Sequence, residues 1–213
     1  MRAVVHSGWR TSSLERRDQD EAQDFVARAV ADPRRVAAVR RLVPLYRPPS
    51  DRFDRLTRLA AHLLGAPIAL LTLVDSDREF FVSSYGLDES SRSTREMPLE
   101  DSLCPQAVAS GRPLIVADFA THPGLADHRA AKEFGIRAYA GIPLITPDYW
   151  AVGVLCVLDV VPRDWTDDQL ANLDMLASIC MDEIRFACLD RQSELNSRWG
   201  ASVGAQAGFS ESN

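Results

Sequence analysis

The stretch IALLTLVDSDREFFVSSY, residues 68–85, decides the fold class. Ile68–Val74 is an apolar, β-prone run, Asp75-Ser76-Asp77-Arg78 is a turn, and Glu79–Tyr85 runs on as a second strand that Gly86 closes. Two such runs across a short polar turn read as a β-hairpin. A doubly wound parallel sheet would need a helix between them, and the turn leaves no room for one. Further along, Leu114–Ala117 reads as a short strand, and Ala138–Ile145 and Trp150–Val160 as a second pair joined through Pro147 and Asp148. Strands that come as hairpins predict an antiparallel sheet flanked by helices, an α+β domain.

The helices announce themselves by spacing and by their ends. Ser50 or Asp51 caps a helix whose apolar face is Phe53, Leu56, Leu59, Ala60, Leu63 and Leu64, with Gly65 as its stop. Ser102–Ser110 is a short helix before Gly111, and another lies near Ala130–Phe134 in the loop Thr121–Gly135. Thr166 caps a long helix to about Gln192. Upstream, Phe25, Val26, Ala29 and Val30 share one face of a helix over Asp20–Ala31. Asp32-Pro33 restarts a second helix, with Val36, Val39 and Val43 as its stripe, Arg34, Arg35, Arg40 and Arg41 on its wet side, and Pro44, Pro48 and Pro49 ending it. The organisation expected is a flexible N-terminus over 1–19, N-terminal helices and a linker over 20–50, one domain over 51–192, and a disordered Gly/Ser/Ala-rich tail over 193–213. Residues 87–101 read as a loop.

Composition narrows the class. The chain has 213 residues, 24 Lys+Arg against 30 Asp+Glu, a net charge of -6 and 46% hydrophobic residues. That is a chain with a real core, not a disordered one. Its acidity argues against a nucleic-acid binder. No apolar run is long enough for a bilayer or a signal peptide, so the expectation is a soluble, cytoplasmic protein that does not bind membranes. Cys104, Cys156, Cys180 and Cys188 have no metal-ligand spacing and read as free, mostly buried thiols in a reducing compartment. No metal and no cofactor is expected.

Four phrases in order carry a resemblance: FDRLTRLAAHLLGAPIALLTLVDSDREFF (Phe53–Phe81), PLEDSLCPQAVASGRPLIVADF (Pro98–Phe119), GIRAYAGIPL (Gly135–Leu144) and VGVLCVLDVVPRDWTDDQLANLDMLA (Val152–Ala177). From Phe53 to about Asp190 the chain resembles a GAF domain, the small-molecule sensor module of bacterial signalling proteins. The resemblance implies a GAF/PAS-like antiparallel sheet with the N- and C-terminal helices on one face. It implies a ligand pocket on the other face, beneath the irregular segments between Gly86 and Gly135. Strand alternation combined with that pocket position gives Phe81, Ser83, Cys104, Val108, Phe119, His122, Leu125, Tyr139 and Gly141 as the lining.

Family chemistries that need particular residues find little here. A free methionine sulfoxide reductase needs more than one placed thiol; Cys104 stands near a helix N-terminus, but His122–Gly135 carries no second Cys. A covalent bilin would need a Cys around Asp118–His128, and there is none. His122 and His128 are in the right region for haem ligation but sit in a polar loop. No Asn-Lys dipeptide with a matching acidic pair supports a cyclic-nucleotide pocket. Ser102, Asp118 and His122 lack a nucleophile elbow, and Asp118 reads as a turn residue after its strand.

The expectation is therefore a non-enzymatic sensory or regulatory module that binds an unidentified small molecule and signals through its terminal helices to a partner protein in trans, the chain being either such a stand-alone module or a truncated relic. The alternatives are a redox enzyme using Cys104 and a ligand-free dimerisation module. Leu170, Leu173, Ala177, Cys180, Ile184 and Ala187 recur at three- and four-residue steps and predict a homodimer seam, with Leu176, Ile179 and Met181 left to pack on the sheet.

Overall fold

The computed structural model of the chain describes residues 13–42, 50–122 and 124–207. Strands β1 (Ile68–Val74) and β2 (Arg78–Tyr85) form the expected hairpin. With β3 (Glu96–Pro98), β4 (Leu114–Val116), β5 (Ala138–Ile145) and β6 (Ala151–Asp159) they make one six-stranded sheet in the order β3-β2-β1-β6-β5-β4. Every pairing in it is antiparallel. The fold is α+β. Strand β3 lies inside the segment read as a loop, together with the helix α4 (Glu89–Thr94). Three residues, one of them Pro98, are too few to show alternation; pairing with the β2 edge makes the strand. Arg95 holds it in place, its guanidinium donating to the carbonyls of Phe81 and Val82 at 3.1 and 2.8 Å.

Two glycine and proline positions follow from backbone approach. Gly153 pairs with Leu73, and a Cβ there would stand 1.9 Å from the Thr72 carbonyl oxygen, so only a residue without a side chain lets β1 and β6 close. Pro143 lies past the end of β4, which pairs β5 only at residues 139–141, so that edge of β5 is open where the N–H is missing.

One sheet face is covered by α3 (Asp51–Leu64) and α7 (Asp167–Ala207). In α3, Phe53, Ala60, Ala61 and Leu64 are buried, and Gly65 ends the helix in the left-handed region at φ 59°. Leu59 and Leu63, expected on the apolar face, point outward at 45% and 47% exposure. Thr57 occupies the inward position instead, because its hydroxyl is 2.8 Å from Ser83 Oγ. Ser50 is the N-cap residue but makes no side-chain cap bond.

Helix α7 starts with a reciprocal capping box: Gln169 N–H donates to Thr166 Oγ1 at 3.2 Å and Thr166 N–H to Gln169 Oε1 at 3.1 Å. The Gln169 amide also donates to the Leu64 carbonyl at 3.1 Å, tying the end of α3 to the start of α7. The helix continues to Ala207, where a disordered tail from 193 was expected. Once nucleated, a helix adds a hydrogen bond for each residue fixed, and Gly200 and Gly204 are isolated enough to be carried along. The expected dimer seam is a second correction. Leu173, Ala177, Cys180 and Ile184 are all buried against the sheet, with Leu170 and Ala187 at the margins. A three-and-four repeat reports one buried face, and the sheet is the partner that covers it. The outward stripe is Met175, Ile179, Phe186 and Leu189.

Helix α1 (Ser13–Val30) begins seven residues before the expected Asp20. It packs against α5 (Cys104–Ser110) on the other face of the sheet, with Val26 and Val30 in that core. Helix α2 (Pro33–Arg40) is capped by Asp32, whose carboxylate accepts from Arg34 and Arg35 N–H at 2.8 and 3.3 Å, and Pro33 opens it. Val30, Val36 and Val39 are thus buried within the chain and Val26 and Ala29 half-buried, while Phe25, expected on the same face, is 53% exposed. Arg35, read as part of a wet face, is buried. What the sequence leads one to expect of residues 1–12, of Val43, Pro44, Pro48 and Pro49, and of 208–213 lies outside the described residues.

Candidate functional site

The face of the sheet opposite α3 and α7 turns Ile68, Leu70, Phe81, Tyr139, Cys156 and Leu158 toward a cavity of about 600 Å³. Its cover comes from the segments 86–98, 101–104 and 130–136, the last containing α6 (Arg129–Phe134). Positive φ at Gly86 (81°) turns the chain out of β2 into this cover; any side chain there would meet the Pro67 carbonyl at 2.0 Å.

Of the residues chosen from the sequence, Phe81, Cys104, Phe119 and Tyr139 border the cavity. Val108 and Leu125 are buried in the core behind it. His122 is exposed on the loop. Ser83 faces the other way. Leu71 pairs with Ser83 while Thr72 pairs with Phe81, so Val82 is an extra residue, a β-bulge that shifts the alternation by one. Ser83 Oγ then reaches α3, donating to Asp54 Oδ1 at 2.5 Å.

Gly141 lies beneath the Tyr139 ring: a Cβ would stand 2.2 Å from the phenol oxygen. The Tyr139 hydroxyl is therefore pressed toward α5, where it meets Cys104 Sγ at 3.4 Å. Gly141→Ala is expected to push the ring off this seat and to destabilise the fold by ~1–3 kcal/mol as an overpacking change. Equilibrium urea unfolding checks it, and an unchanged midpoint would mean the ring has a second place to go.

The polar groups at the inner end of the cavity are pushed toward their uncharged forms. Burial raises the Cys104 thiol well above the usual range, and the neighbouring Cys156, which hydrogen-bonds to it, and Glu79 act in the same direction. The helix N-terminus beside Cys104 belongs to a helix of seven residues, and desolvation outweighs it. Burial likewise raises Tyr139 well above its ordinary value. Sequence reading took Cys156 as a plain core thiol; β6 alternation also places it beside Cys104.

Glu79 is the residue that sequence reading missed. It borders the cavity, is 1% exposed, and neither carboxylate oxygen has a hydrogen-bond partner among the described residues. Burial raises its carboxyl above the ordinary value, partly countered by Ser102, Cys104 and Thr72 nearby. The signal was present: the alternation that points Phe81 inward also points Glu79 inward, two residues earlier in β2.

The charges around the rim are paired. Arg129 donates to Asp101 Oδ2 at 2.6 Å and to Glu133 Oε2 at 2.7 Å. Asp118, after β4, accepts from both Nε and Nη2 of Arg137 at 2.8 Å and from Ala120 N–H at 3.0 Å, and the Arg137 bond holds its carboxyl below the usual range. His128 is half-buried, its Nδ1 accepting from Ala130 N–H at 3.2 Å, and burial lowers its imidazole pKa. Neither His122 nor His128 borders the cavity. Among the described residues no cluster of three or more His, Cys, Asp or Glu is placed to hold a metal, and no helix is long and apolar enough to cross a membrane.

Comparisons with known proteins agree with this architecture. The family model described as GAF domain matches residues 48–184. A cyclic di-GMP phosphodiesterase from Pseudomonas aeruginosa is 34% identical over 134 residues, covering 62% of this chain and 22% of that protein. The chain thus spans about a fifth of the length of the curated relative it matches. The GAF domain of an Acinetobacter phosphoenolpyruvate-protein phosphotransferase superposes with a TM-score of 0.55 at 17% identity, covering 76% of this chain and 99% of that one. The GAF domain region of a Geobacter sulfurreducens membrane protein gives 0.54 at 19% identity, covering 70% and 99%. A type II free methionine-R-sulfoxide reductase from Thermoplasma acidophilum gives 0.52 at 12% identity, covering 62% and 89%. At such identities the structural matches speak to the fold.

Proposed function

The chain belongs to the GAF domain family, and we propose that it is a non-enzymatic regulatory module that binds a small molecule in its cavity and signals through its terminal helices. The observation that carries this reading is the cavity of about 600 Å³ between the sheet and the 86–136 cover, a volume suited to one small molecule. The cover connects directly to the helices: α5 borders the cavity through Cys104 and carries α1 on its outer side. A ligand that binds one arrangement of cover and α1 better than another shifts the population toward it. Similarity to a segment of a cyclic di-GMP phosphodiesterase supports a signalling setting; that the output lies in a partner protein and that the compartment is the cytoplasm are parts of the proposal. We further propose that a second copy of the chain covers the outward stripe Met175, Ile179, Phe186 and Leu189 of α7.

A redox role for Cys104 has one observation in its favour, the thiol of Cys156 beside it. Against it, burial holds Cys104 protonated, and the thiolate is the nucleophile. The regulatory reading is preferred.

Native mass spectrometry of protein purified under mild conditions tests the proposal. The expected spectrum shows two chains together and a non-covalent adduct of small-molecule mass. Bare chains with no adduct, and no uptake from a metabolite extract, would remove the sensor reading. Turnover of free methionine sulfoxide that disappears in Cys104→Ser would replace it with the redox enzyme.

A further inference from the structure

The inner end of the cavity is built for one kind of ligand head. Glu79 is fully buried, borders the cavity and has no hydrogen-bond partner for either oxygen among the described residues. Isolated carboxylates are excluded from protein interiors unless something satisfies them. Of the hydroxyls near it, Thr72 Oγ1 donates to the Val154 carbonyl at 3.3 Å, while Ser102 Oγ accepts from Cys104 N–H at 3.0 Å and keeps its own proton, but makes no hydrogen bond to either Glu79 oxygen. Among the residues whose side chains are described, every formally charged one bordering the cavity is acidic: Glu79, Asp88, Glu96, Asp101 and Glu133. The cations that hold Asp101, Glu133 and Glu96, namely Arg129 and Arg78, do not border it. An anionic ligand, a nucleotide included, would find no cation among the described residues that border the cavity. The remaining wall is apolar and aromatic, with Phe81, Phe119 and Tyr139 around the buried end.

We propose that the cavity receives an organic ammonium ion, its N–H groups donating to the Glu79 carboxylate and its apolar body lying against Phe81, Phe119 and Tyr139. The ligand supplies donors that no described residue gives to the Glu79 oxygens, and its positive charge favours the ionised form of a carboxyl that burial alone pushes toward the neutral one. This names the ligand class of the regulatory cavity and rests on that reading.

Calorimetric titration with three molecules of one skeleton tests it: tryptamine, the uncharged N-acetyltryptamine and the anionic indole-3-propionate. Tryptamine is expected to bind at least tenfold more tightly than either analogue. Glu79→Gln, of nearly the same shape, is expected to weaken tryptamine at least tenfold and to leave N-acetyltryptamine within about twofold. The ranking on the unaltered protein stands as a test even where the variant fails to fold. Equal binding of the three, preference for an uncharged or anionic member, no tryptamine binding at millimolar concentration, or Glu79→Gln binding tryptamine unchanged would each overturn the ammonium site. Binding of either analogue, or a non-covalent adduct in the native spectrum, would leave the regulatory reading standing. With no adduct and none of the three bound, both fall.

Discussion

Arg35→Met is expected to destabilise the fold by ~3 kcal/mol, the loss of several charged hydrogen bonds less the relief of burying a charge. Arg35 is 3% exposed, and its guanidinium joins the end of α1 to the end of β1. Its Nε donates to the Val30 carbonyl at the end of α1 at 2.8 Å, and Nη2 makes a second, shorter bond to the same oxygen. Nη1 donates to the Val74 carbonyl at 2.6 Å and Nη2 to the Asp75 carbonyl at 3.1 Å, at the β1–β2 turn. A cation at a helix C-terminus also meets the negative end of the helix dipole. A Met side chain fills similar space and leaves these carbonyls buried without their donor. Arg35→Lys should recover only part of the loss, since an ammonium cannot span the fork. Urea unfolding reads the total, and hydrogen exchange reads where it falls: α1 amides should lose protection first. A midpoint shift worth less than ~0.5 kcal/mol, the level of an ordinary surface change, would mean α1 is anchored by Val26 and Val30 alone.

Why this clamp escaped the sequence is instructive. The hairpin of 68–85, the Asp32-Pro33 start, Gly65 and Thr166 are local signals, and each one is found in the structure as read. Arg35 sits among Arg34, Arg40 and Arg41 on a short helix, and only the approach of the β1–β2 turn, some forty residues away, makes it a buried one. The same distinction runs through the site. Phe81, Cys104, Phe119 and Tyr139 follow from alternation and from the family's pocket position. Ser83 does not, because the bulge at Val82 depends on how β2 registers against β1. Glu79 obeyed the alternation but broke the rule that inward residues are apolar, and that kind of exception marks a place where a protein is built for something other than stability.

The same reasoning separates the two apolar stripes of α7. Ile184→Glu is expected to abolish cooperative folding, a loss of at least ~4 kcal/mol, because it removes a buried aliphatic side chain and installs a carboxylate with no partner. Ile184 is 0% exposed, against the sheet core with Leu173, Ala177 and Cys180. Ile179, about 1.4 turns earlier at 3.6 residues per turn, is 42% exposed beside Met175, on the far side of the helix from that core. Ile179→Glu should therefore leave the stability of the single chain within ~0.5 kcal/mol, the level of an ordinary surface change. Its effect should fall on assembly: a helix with a second apolar stripe has a second partner to find, and the commonest one is a copy of itself across a two-fold axis. Sedimentation equilibrium at micromolar concentration is expected to give two chains for the unaltered protein and one for Ile179→Glu. If Ile184→Glu folds and Ile179→Glu does not, the helix has been assigned the wrong way round. If both the unaltered protein and Ile179→Glu sediment as single chains, the Met175–Leu189 stripe faces something other than a second copy, and the signal leaves the cavity by way of α1 on α5.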